Sequence, residues 1–281
     1  MTAQVFYTYD KGVNWDNITG PFAAQEDVMS AVCFSIDGDT NRWLVTRGAE
    51  IAPTNPAEVA YTDDGGYVWA AVDVEAAGTR YAVDSGALFA LDKLHIWFVT
   101  SGGYIFFSDD GGATWEAQSE GTVTVQNLNA VHFADNQFGM AVGNAGVVLK
   151  SVDGGSTWSA ATPIVGATNV LTVQVIDQYN AYVGTADGHV YMTSNGGTTW
   201  TSKYQLVGGS VDSIHAVNKF VLWAVANTAA PLGRILRSRN GGYSWETITT
   251  PTNTGLNSIH GLDANKAWAV GNDGVIIKVS G

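Results

Sequence analysis

Cysteine, positive charge and long hydrophobic runs are all scarce in this 281-residue chain. The single cysteine, Cys33, cannot form an intramolecular disulfide, so we expect a fold that does not depend on an oxidising compartment. Only 13 Lys and Arg residues stand against 26 Asp and Glu residues, and they form no basic stripe that could displace counterions from phosphates. No apolar stretch approaches the ~20 residues of a membrane-spanning helix. The sequence therefore predicts neither nucleic-acid binding nor membrane insertion.

Helix signals and proline are also rare, whereas glycine is abundant. The chain has 6 Pro and 33 Gly residues, and 46% of its residues are apolar. This composition favours many short strands joined by tight turns around a sizeable core. The first residues, 1–7, contain no basic region followed by an apolar run, so we expect no secretory signal and a protein made in a cytosol.

One eight-residue motif, Ser/Thr-x-Asp/Asn-x-Gly-x-x-Trp, occurs six times along the chain. Its copies occupy residues 8–15, 62–69, 108–115, 151–158, 193–200 and 238–245. Their acidic or amide residues are Asp10, Asp64, Asp110, Asp153, Asn195 and Asn240, and their tryptophans are Trp15, Trp69, Trp115, Trp158, Trp200 and Trp245. The intervals between successive motifs are 54, 46, 43, 42 and 45 residues, which indicates a structural repeat.

Each repeat has the pattern of four short antiparallel strands. The clearest copy alternates apolar and polar residues over 128–135, continues with a short strand at 140–143 and a tight turn at 144–146, and reaches its motif after a strand at 147–150. Four strands in ~40–45 residues is the size of one propeller blade. The sequence predicts an all-β, six-bladed β-propeller.

The predicted domain is single and covers 1–281. Five blades are expected at about 28–70, 75–116, 122–160, 167–203 and 210–248. Residues 256–281 lack the motif and residues 3–20 lack inner strands, so a sixth blade shared by the two chain ends would close the ring. Residues 275–279 and 5–9 are both candidates for the third strand of that blade.

The residue types of the motif suit a structural role. Asp153 is expected to accept hydrogen bonds from backbone N–H groups of its own loop, and Gly155 to adopt a positive φ. Trp158 is expected to fill the blade interior, with its indole N–H reaching a local carbonyl. The remaining four tryptophans share one position on the second strands, so none is left as a sugar-stacking platform.

The motif resembles the bacterial neuraminidase repeat, or Asp box, of sialidases, sortilins and xyloglucan-cleaving enzymes. The fuller unit, residues 139–143 followed by the motif at 151–158, is similar to the repeat of the photosystem II assembly/stability factor family, which also occurs in phage structural proteins. This resemblance covers nearly the whole chain and implies the propeller fold. It says little about function, because one fold carries many sites.

Sialidase chemistry is the sharpest enzymatic hypothesis that the resemblance raises. Sialidases use three arginines, a tyrosine activated by a glutamate, and an Arg-Ile-Pro motif, which is absent from this sequence. A two-carboxylate glycosidase would need a pair of acids across a cleft. Glu50 and Glu58 lie in one long predicted loop, and we expect them to be exposed to solvent rather than to form such a pair. We expect no enzymatic activity and no catalytic residues.

No metal or cofactor is expected either. His132, His215 and His260 occupy the same repeat position, with Gln174 equivalent in a fourth repeat. We expect the spacing between blades to hold them too far apart to share a metal ion. Residues 37–41 resemble the start of a calcium loop but lack its later glycine and glutamate.

Two turns between the second and third strands are longer than the others. Because the motifs lie at the opposite turns, these insertions are predicted to project from the other face, where propellers usually bind ligands. The alternative is neutral variation in loop length. The candidate partner-binding residues in the two insertions are Arg47, Glu50, Ile51, Pro53, Asn55, Asn227, Pro231 and Leu232.

The composition and the repeat favour a non-enzymatic module that binds other proteins. Our first hypothesis is a bacteriophage virion component, such as a head or tail decoration, located in the virion or in the host cytoplasm during assembly. The alternatives are a docking protein like the photosystem II assembly factors, and a module that binds surface glycans or receptors, or a glycoside hydrolase.

Overall fold

The computed structural model describes residues 6–7, 14, 16–17, 26–35, 41–49, 58–64, 68–74, 87–229 and 233–280. These residues form strands and turns, with two 3-10 turns, Ser101–Gly103 and Asn272–Gly274, and no α-helix. Accordingly, this part of the chain contains no helix long and apolar enough to cross a membrane. The predicted all-β class is confirmed.

Five four-stranded antiparallel sheets contain most of the described residues, and in each the strands lie side by side in chain order. Sheet 1 contains Glu26–Ser35, Asn41–Ala49, Glu58–Thr62 and Ala70–Asp73; sheet 2 contains Ala87–Ala90, Ile96–Val99, Tyr104–Ser108 and Glu116–Glu120; sheet 3 contains Leu128–Phe133, Gly139–Gly143, Val148–Ser151 and Ser159–Ala160. Sheet 4 contains Val170–Val175, Ala181–Thr185, His189–Thr193 and Thr201–Gln205; sheet 5 contains Gly209–Ala216, Leu222–Thr228, Gly233–Ser238 and Glu246–Ile248. The predicted four-stranded repeat is confirmed.

The two chain ends form smaller sheets. Sheet 6 has three strands, Leu256–Gly261, Lys266–Gly271 and Ile276–Ser280. Near the other end, Phe6–Tyr7 pairs with Asp16–Asn17. The third position of sheet 6, which the sequence left open, is therefore filled by Ile276–Ser280. The count of six blades, the single domain and the closure of a ring stay predictions.

The chain divides into two compact units, Met1–Val131 with Gly155–Thr157 and His132–Gly154 with Trp158–Gly281. In the first unit, sheets 1 and 2 share a buried cluster of Val59, Val74, Leu88, Ile96, Phe98 and Phe106. The second unit contains sheets 4, 5 and 6 together with most of sheet 3.

The second strand of sheet 5, Leu222–Thr228, explains how sheets stack within the second unit. Successive side chains of a strand point to opposite faces. Leu222 and Ala224 are buried in a cluster with residues of sheet 4, whereas Trp223 and Val225 are buried in a cluster with residues of sheet 6. Both faces of the strand are therefore covered, which accounts for its continuous apolar sequence.

Trp223 also fixes the residue type at Gly261 in sheet 6. A Cβ atom at Gly261 would lie 2.3 Å from Cδ1 of the indole, which no real side chain permits. The indole N–H donates a hydrogen bond to the carbonyl of Asp263 at 2.9 Å. The tryptophan thus joins sheet 5 to sheet 6 through both packing and a hydrogen bond.

Candidate functional site

The Asp box of sheet 5 is a closed hydrogen-bonded turn. Asn240 Oδ1 accepts hydrogen bonds from Ser238 Oγ at 3.0 Å and from the backbone N–H of Ser244 at 2.9 Å. Ser238 Oγ in turn accepts from the N–H of Gly242 at 2.9 Å, and the Trp245 indole donates to the Gly242 carbonyl at 3.1 Å. The hydroxyl of Ser238, the amide oxygen of Asn240 and the indole of Trp245 therefore all have hydrogen-bond partners within this turn.

The box of sheet 2 has the same arrangement around an acid. Asp110 Oδ1 accepts from Ser108 Oγ at 2.8 Å and from the N–H of Thr114 at 2.9 Å, and Thr114 Oγ1 donates to Oδ2 at 2.6 Å. Burial opposes ionisation of Asp110, but the hydrogen bonds from Thr114 and Ser108 outweigh it and lower the pKa of the carboxyl group. The acid is stabilised as a structural anion.

The boxes need two positive-φ glycines rather than the one expected from the motif. In sheet 5 Gly241 and Gly242 have φ of +70° and +81°, and in sheet 3 Gly154 and Gly155 have φ of +71° and +91°. Two successive residues in this region would strain any side chain with a Cβ atom. The Gly-Gly pair that follows the Asp or Asn in five boxes was the signal for it.

The box tryptophans are less uniform than expected. The indole of Trp115 donates to the Gly112 carbonyl at 3.1 Å, as the indole of Trp245 does to Gly242. The indole N–H groups of Trp158 and Trp200 are buried without a hydrogen-bond partner among the described residues. The expectation of a local carbonyl for Trp158 is wrong: its ring instead packs edge-on against Phe133, with centroids 5.7 Å apart.

The two N-terminal boxes are described only in part. Asp64 Oδ1 accepts from Thr62 Oγ1 at 2.7 Å and from the N–H of Val68 at 2.9 Å, so it follows the same geometry. Trp69, which follows, is partly buried. Asp10 and Trp15 lie outside the described residues.

The histidines at the shared repeat position lie close together, contrary to the expected separation. Gln174 Nε2 is 2.5 Å from His132 Nε2, and the rings of His215 and His260 have centroids 4.1 Å apart. We call these four residues the polar row. The separation was overestimated because the first strands of neighbouring sheets in this unit pack directly against each other.

The polar row satisfies backbone groups of the neighbouring first strand. Gln174 Oε1 accepts from the N–H of Ala216 at 3.3 Å, and His215 Nδ1 accepts from the N–H of Gly261 at 3.1 Å. These N–H groups belong to the unpaired edge of each sheet and would otherwise lack a partner. Gln174 and His215 therefore act as hydrogen-bond acceptors between neighbouring sheets.

Burial keeps the polar row uncharged at neutral pH. It lowers the pKa of His132 to about 3 and that of His215 to about 4, and repulsion from His215 and His260, respectively, lowers them further. No group of three His, Cys, Asp or Glu side chains that could hold a metal ion occurs in the described part of the chain.

The two predicted insertions begin later than expected, because the strands that flank them are longer. Arg47 belongs to the strand Asn41–Ala49 and pairs with Val28 and Glu58, so neither Arg47 nor Glu58 is a loop residue. Asn227 belongs to the strand Leu222–Thr228 and pairs with Gly233. The other candidates, Glu50, Ile51, Pro53, Asn55, Pro231 and Leu232, lie outside the described residues.

Asn227 bridges sheets 5 and 6. Its Nδ2 donates to the Leu256 carbonyl at 2.7 Å and its Oδ1 accepts from the Leu256 N–H at 2.9 Å. The same Nδ2 is 2.6 Å from Asp212 Oδ2, which also accepts from Ser210 Oγ at 2.8 Å. Burial raises the pKa of Asp212, and these two hydrogen bonds offset part of the increase.

A cleft of about 500 Å³ opens where sheets 4 and 5 meet, at the end opposite the Asp boxes. It is lined by residues 186–187, 208–210 and 227–229, and we call it the 186–229 cleft. Most of its wall is backbone and small side chains. Asp187 supplies its only charged lining group among the described residues.

Asp187 has few hydrogen-bond donors around it. Its Oδ1 is buried without a hydrogen-bond partner, and its Oδ2 lies 3.9 Å from His189 Nε2, beyond hydrogen-bonding distance. The side chain retains 30% of its exposure. The sequence analysis missed this residue, because Asp273 occupies the equivalent turn of sheet 6 and an acid at this position does not stand out from the repeat.

Comparisons with known proteins agree with this architecture. The family model of the photosynthesis system II assembly factor YCF48 matches residues 6–152 and 68–230. YCF48 from Cyanidioschyzon merolae is 17% identical, with a TM-score of 0.67 over 99% of this chain and 88% of its own. A structure of YCF48 bound to D1 peptide is 15% identical, with a TM-score of 0.71 over 99% and 85%.

A propeller of another family is similar in fold alone. The WD40 β-propeller domain of Doa1 is 10% identical, with a TM-score of 0.67 over 99% of this chain and 85% of its own. No curated protein sequence shows significant similarity to this chain. The propeller fold is therefore shown.

Proposed function

Because this chain belongs to the family of the photosynthesis system II assembly factor YCF48, we propose that it is a docking protein for a segment of another protein during assembly of a multi-subunit complex. The family membership is the observation that carries the proposal. It favours the assembly-factor alternative over the virion component that was our first hypothesis. A location in a virion or host cytoplasm, and binding to glycans, stay predictions.

The structure of YCF48 bound to D1 peptide supports a peptide segment as the kind of partner. The fold similarity to that structure extends over 99% of this chain. An unfolded segment is a suitable partner for a rigid propeller, because the segment alone loses conformational freedom on binding.

We further propose that the chain is not catalytic. The carboxylates of the described boxes are held by hydrogen bonds at the structural end of the sheets, as at Asp110. Hydrolysis of xyloglucan by the purified chain, measured as released reducing sugar above that of a heat-inactivated sample, would contradict this.

The docking function can be tested with overlapping synthetic peptides that cover D1, each labelled with a fluorophore. We expect one segment to bind with a saturable increase in fluorescence anisotropy and a dissociation constant in the micromolar range. A peptide of the same composition in scrambled order is the control. Equal binding of both peptides, or binding of neither, would reject D1 as the partner.

A further inference from the structure

We propose that the 186–229 cleft accepts a basic side chain, arginine or lysine, of the docked peptide. This inference rests on the proposed docking function and specifies the chemistry of the partner. It concerns the edge of sheets 4 and 5 that carries the turn 186–188 and the connection 206–209. Three features of the cleft support this proposal: its volume, its negative charge and the composition of its wall.

The cleft has the dimensions of a subsite for one long side chain. Its volume of about 500 Å³ lies within the usual range for ligand pockets. Gly208, at its rim, has a φ of +71° and open space where a Cβ atom would be. Ala186 and Ala229 add only methyl groups to the described wall.

The charge of the cleft is negative and poorly compensated. Asp187 Oδ1 is buried without a hydrogen-bond donor, so a ligand reaches the carboxylate through Oδ2, which lies 3.9 Å from the ring nitrogen of His189. A carboxylate in this state gains more from an added cation than one whose oxygens already accept hydrogen bonds. A guanidinium or ammonium group is the complementary partner.

The described wall of the cleft contains no lysine or arginine that could neutralise Asp187 from within the chain. The whole chain carries a net charge of −13, which attracts basic segments and raises their rate of encounter. A metal ion would need further oxygen ligands, and the second acid nearby, Asp212, already accepts hydrogen bonds from Ser210 and Asn227.

The test uses N-acetyl-L-arginine amide as a probe, titrated into the ¹⁵N-labelled chain and followed by NMR. We expect saturable shifts of the backbone amides of Asp187, Gly188, Gly208 and Gly209. N-acetyl-L-citrulline amide, which has nearly the same shape but no charge, should bind more weakly. Equal shifts from both probes, or none in the cleft, would overturn the proposal.

Two variants of the cleft separate charge from folding. Asp187→Asn should weaken probe binding about fivefold, the upper range for a partly exposed ion pair. Ala229→Lys, at an exposed lining position, should block the cleft with its own ammonium group. Unchanged affinity in both variants, with spectra that remain well dispersed, would exclude the cleft.

Matched controls stand outside the cleft. Asp273→Asn removes the same charge from the equivalent turn of sheet 6, and Val165→Lys adds the same charge to a connection where the native side chain is 90% exposed. Both should bind the probe like the native chain, and a loss as large as that of Asp187→Asn would overturn the proposal. If calcium chloride displaces the probe at a concentration below that of the probe itself, the cleft would be assigned to a metal ion instead.

The probe assay is independent of D1. Probe binding in the cleft together with no D1 binding would remove D1 as the partner and leave the basic-residue subsite standing. D1 binding that Asp187→Asn does not weaken, with no probe binding, would keep the docking function and reject the subsite.

Discussion

Sheets 4 and 5 differ sharply between their two ends. At the box end, the side-chain oxygens of Asn195 and Asn240 each accept one hydrogen bond from a hydroxyl and one from a backbone N–H. Their side-chain NH₂ groups each donate a hydrogen bond to a second hydroxyl. At the opposite end, Asp187 has an oxygen with no donor at all. The Asp or Asn of each of these boxes is therefore held within its own turn, although the indole N–H of Trp200 beside it has no hydrogen-bond partner among the described residues. The acid at the opposite end is not held in this way.

The largest expected effect tests the box end. Ser238→Ala removes a buried hydroxyl and leaves the buried N–H of Gly242 without a partner. We expect a loss of about 2–3 kcal/mol in the free energy of unfolding, measured by urea denaturation. Ser244→Ala, an exposed hydroxyl of the same box, is the control and should cost less than about 0.5 kcal/mol. Equal losses would show that the box contributes no stability through its buried hydrogen bonds.

The second prediction concerns the polar row, which lies between the two ends of the sheets, and its effect on the pH dependence of stability. Because the folded-state pKa of His132 lies below the value of about 6.5 in the unfolded chain, the folded state loses stability as the pH falls from 6.5 toward 3. His132→Gln, which reproduces the residue type of Gln174, should reduce the stability lost between pH 7 and 5 by about 2 kcal/mol. Between pH 7 and 8 the variant and the native chain should change alike. A native pH dependence in the variant would contradict the assignment.

A smaller effect compares acidic with amide boxes. The pKa of Asp110 is lowered in the folded chain, so its contribution is complete above the unfolded value of about 3.9 and is lost as the pH falls through the folded value. Asp110→Asn copies the boxes of sheets 4 and 5 and should remove this loss, less than about 1 kcal/mol after screening by solvent. Thermal unfolding at pH 4 and pH 3 measures it. A variant as acid-sensitive as the native chain would place the titrating group elsewhere.

The smallest effect is expected at the cleft end. Asp187→Asn removes no hydrogen bond to Oδ1, since that atom has none. Its free energy of unfolding should remain within about 0.5 kcal/mol of the native value, even though binding of a basic probe weakens. A large loss of stability would mean that Asp187, like the box residues, contributes to the free energy of unfolding, so the two ends would not differ in this respect.

The sequence predicted the local structure well because the repeat encodes it. Motif spacing placed the four-stranded units, and the residue types of the box explain the geometry at Asn240 and Gly242. Short-range hydrogen bonds of this kind depend on neighbours two to four residues away, which a single sequence displays.

The non-local features could not be predicted in the same way. His132 and Gln174 meet although 42 residues separate them, because first strands of neighbouring sheets pack edge to edge. Asn227 was predicted as a loop residue that binds a partner, whereas its amide pairs with a backbone group 29 residues away. The cleft joins residues of two sheets, and no local feature of the sequence indicated it.

The Asn227 bridge has a mechanical consequence. Its amide pairs with both the N–H and the carbonyl of Leu256, as a peptide group of an adjoining strand would. Under tension applied at the C-terminus, the strands Ile276–Ser280 and Lys266–Gly271 peel away one after the other, each by rupture of its own ladder. The strand Leu256–Gly261 then remains attached to sheet 5 through Asn227, through the hydrogen bond from Gly261 to His215 and through packing on Trp223. A pulling experiment should therefore record a separate last force peak, which Asn227→Ala lowers.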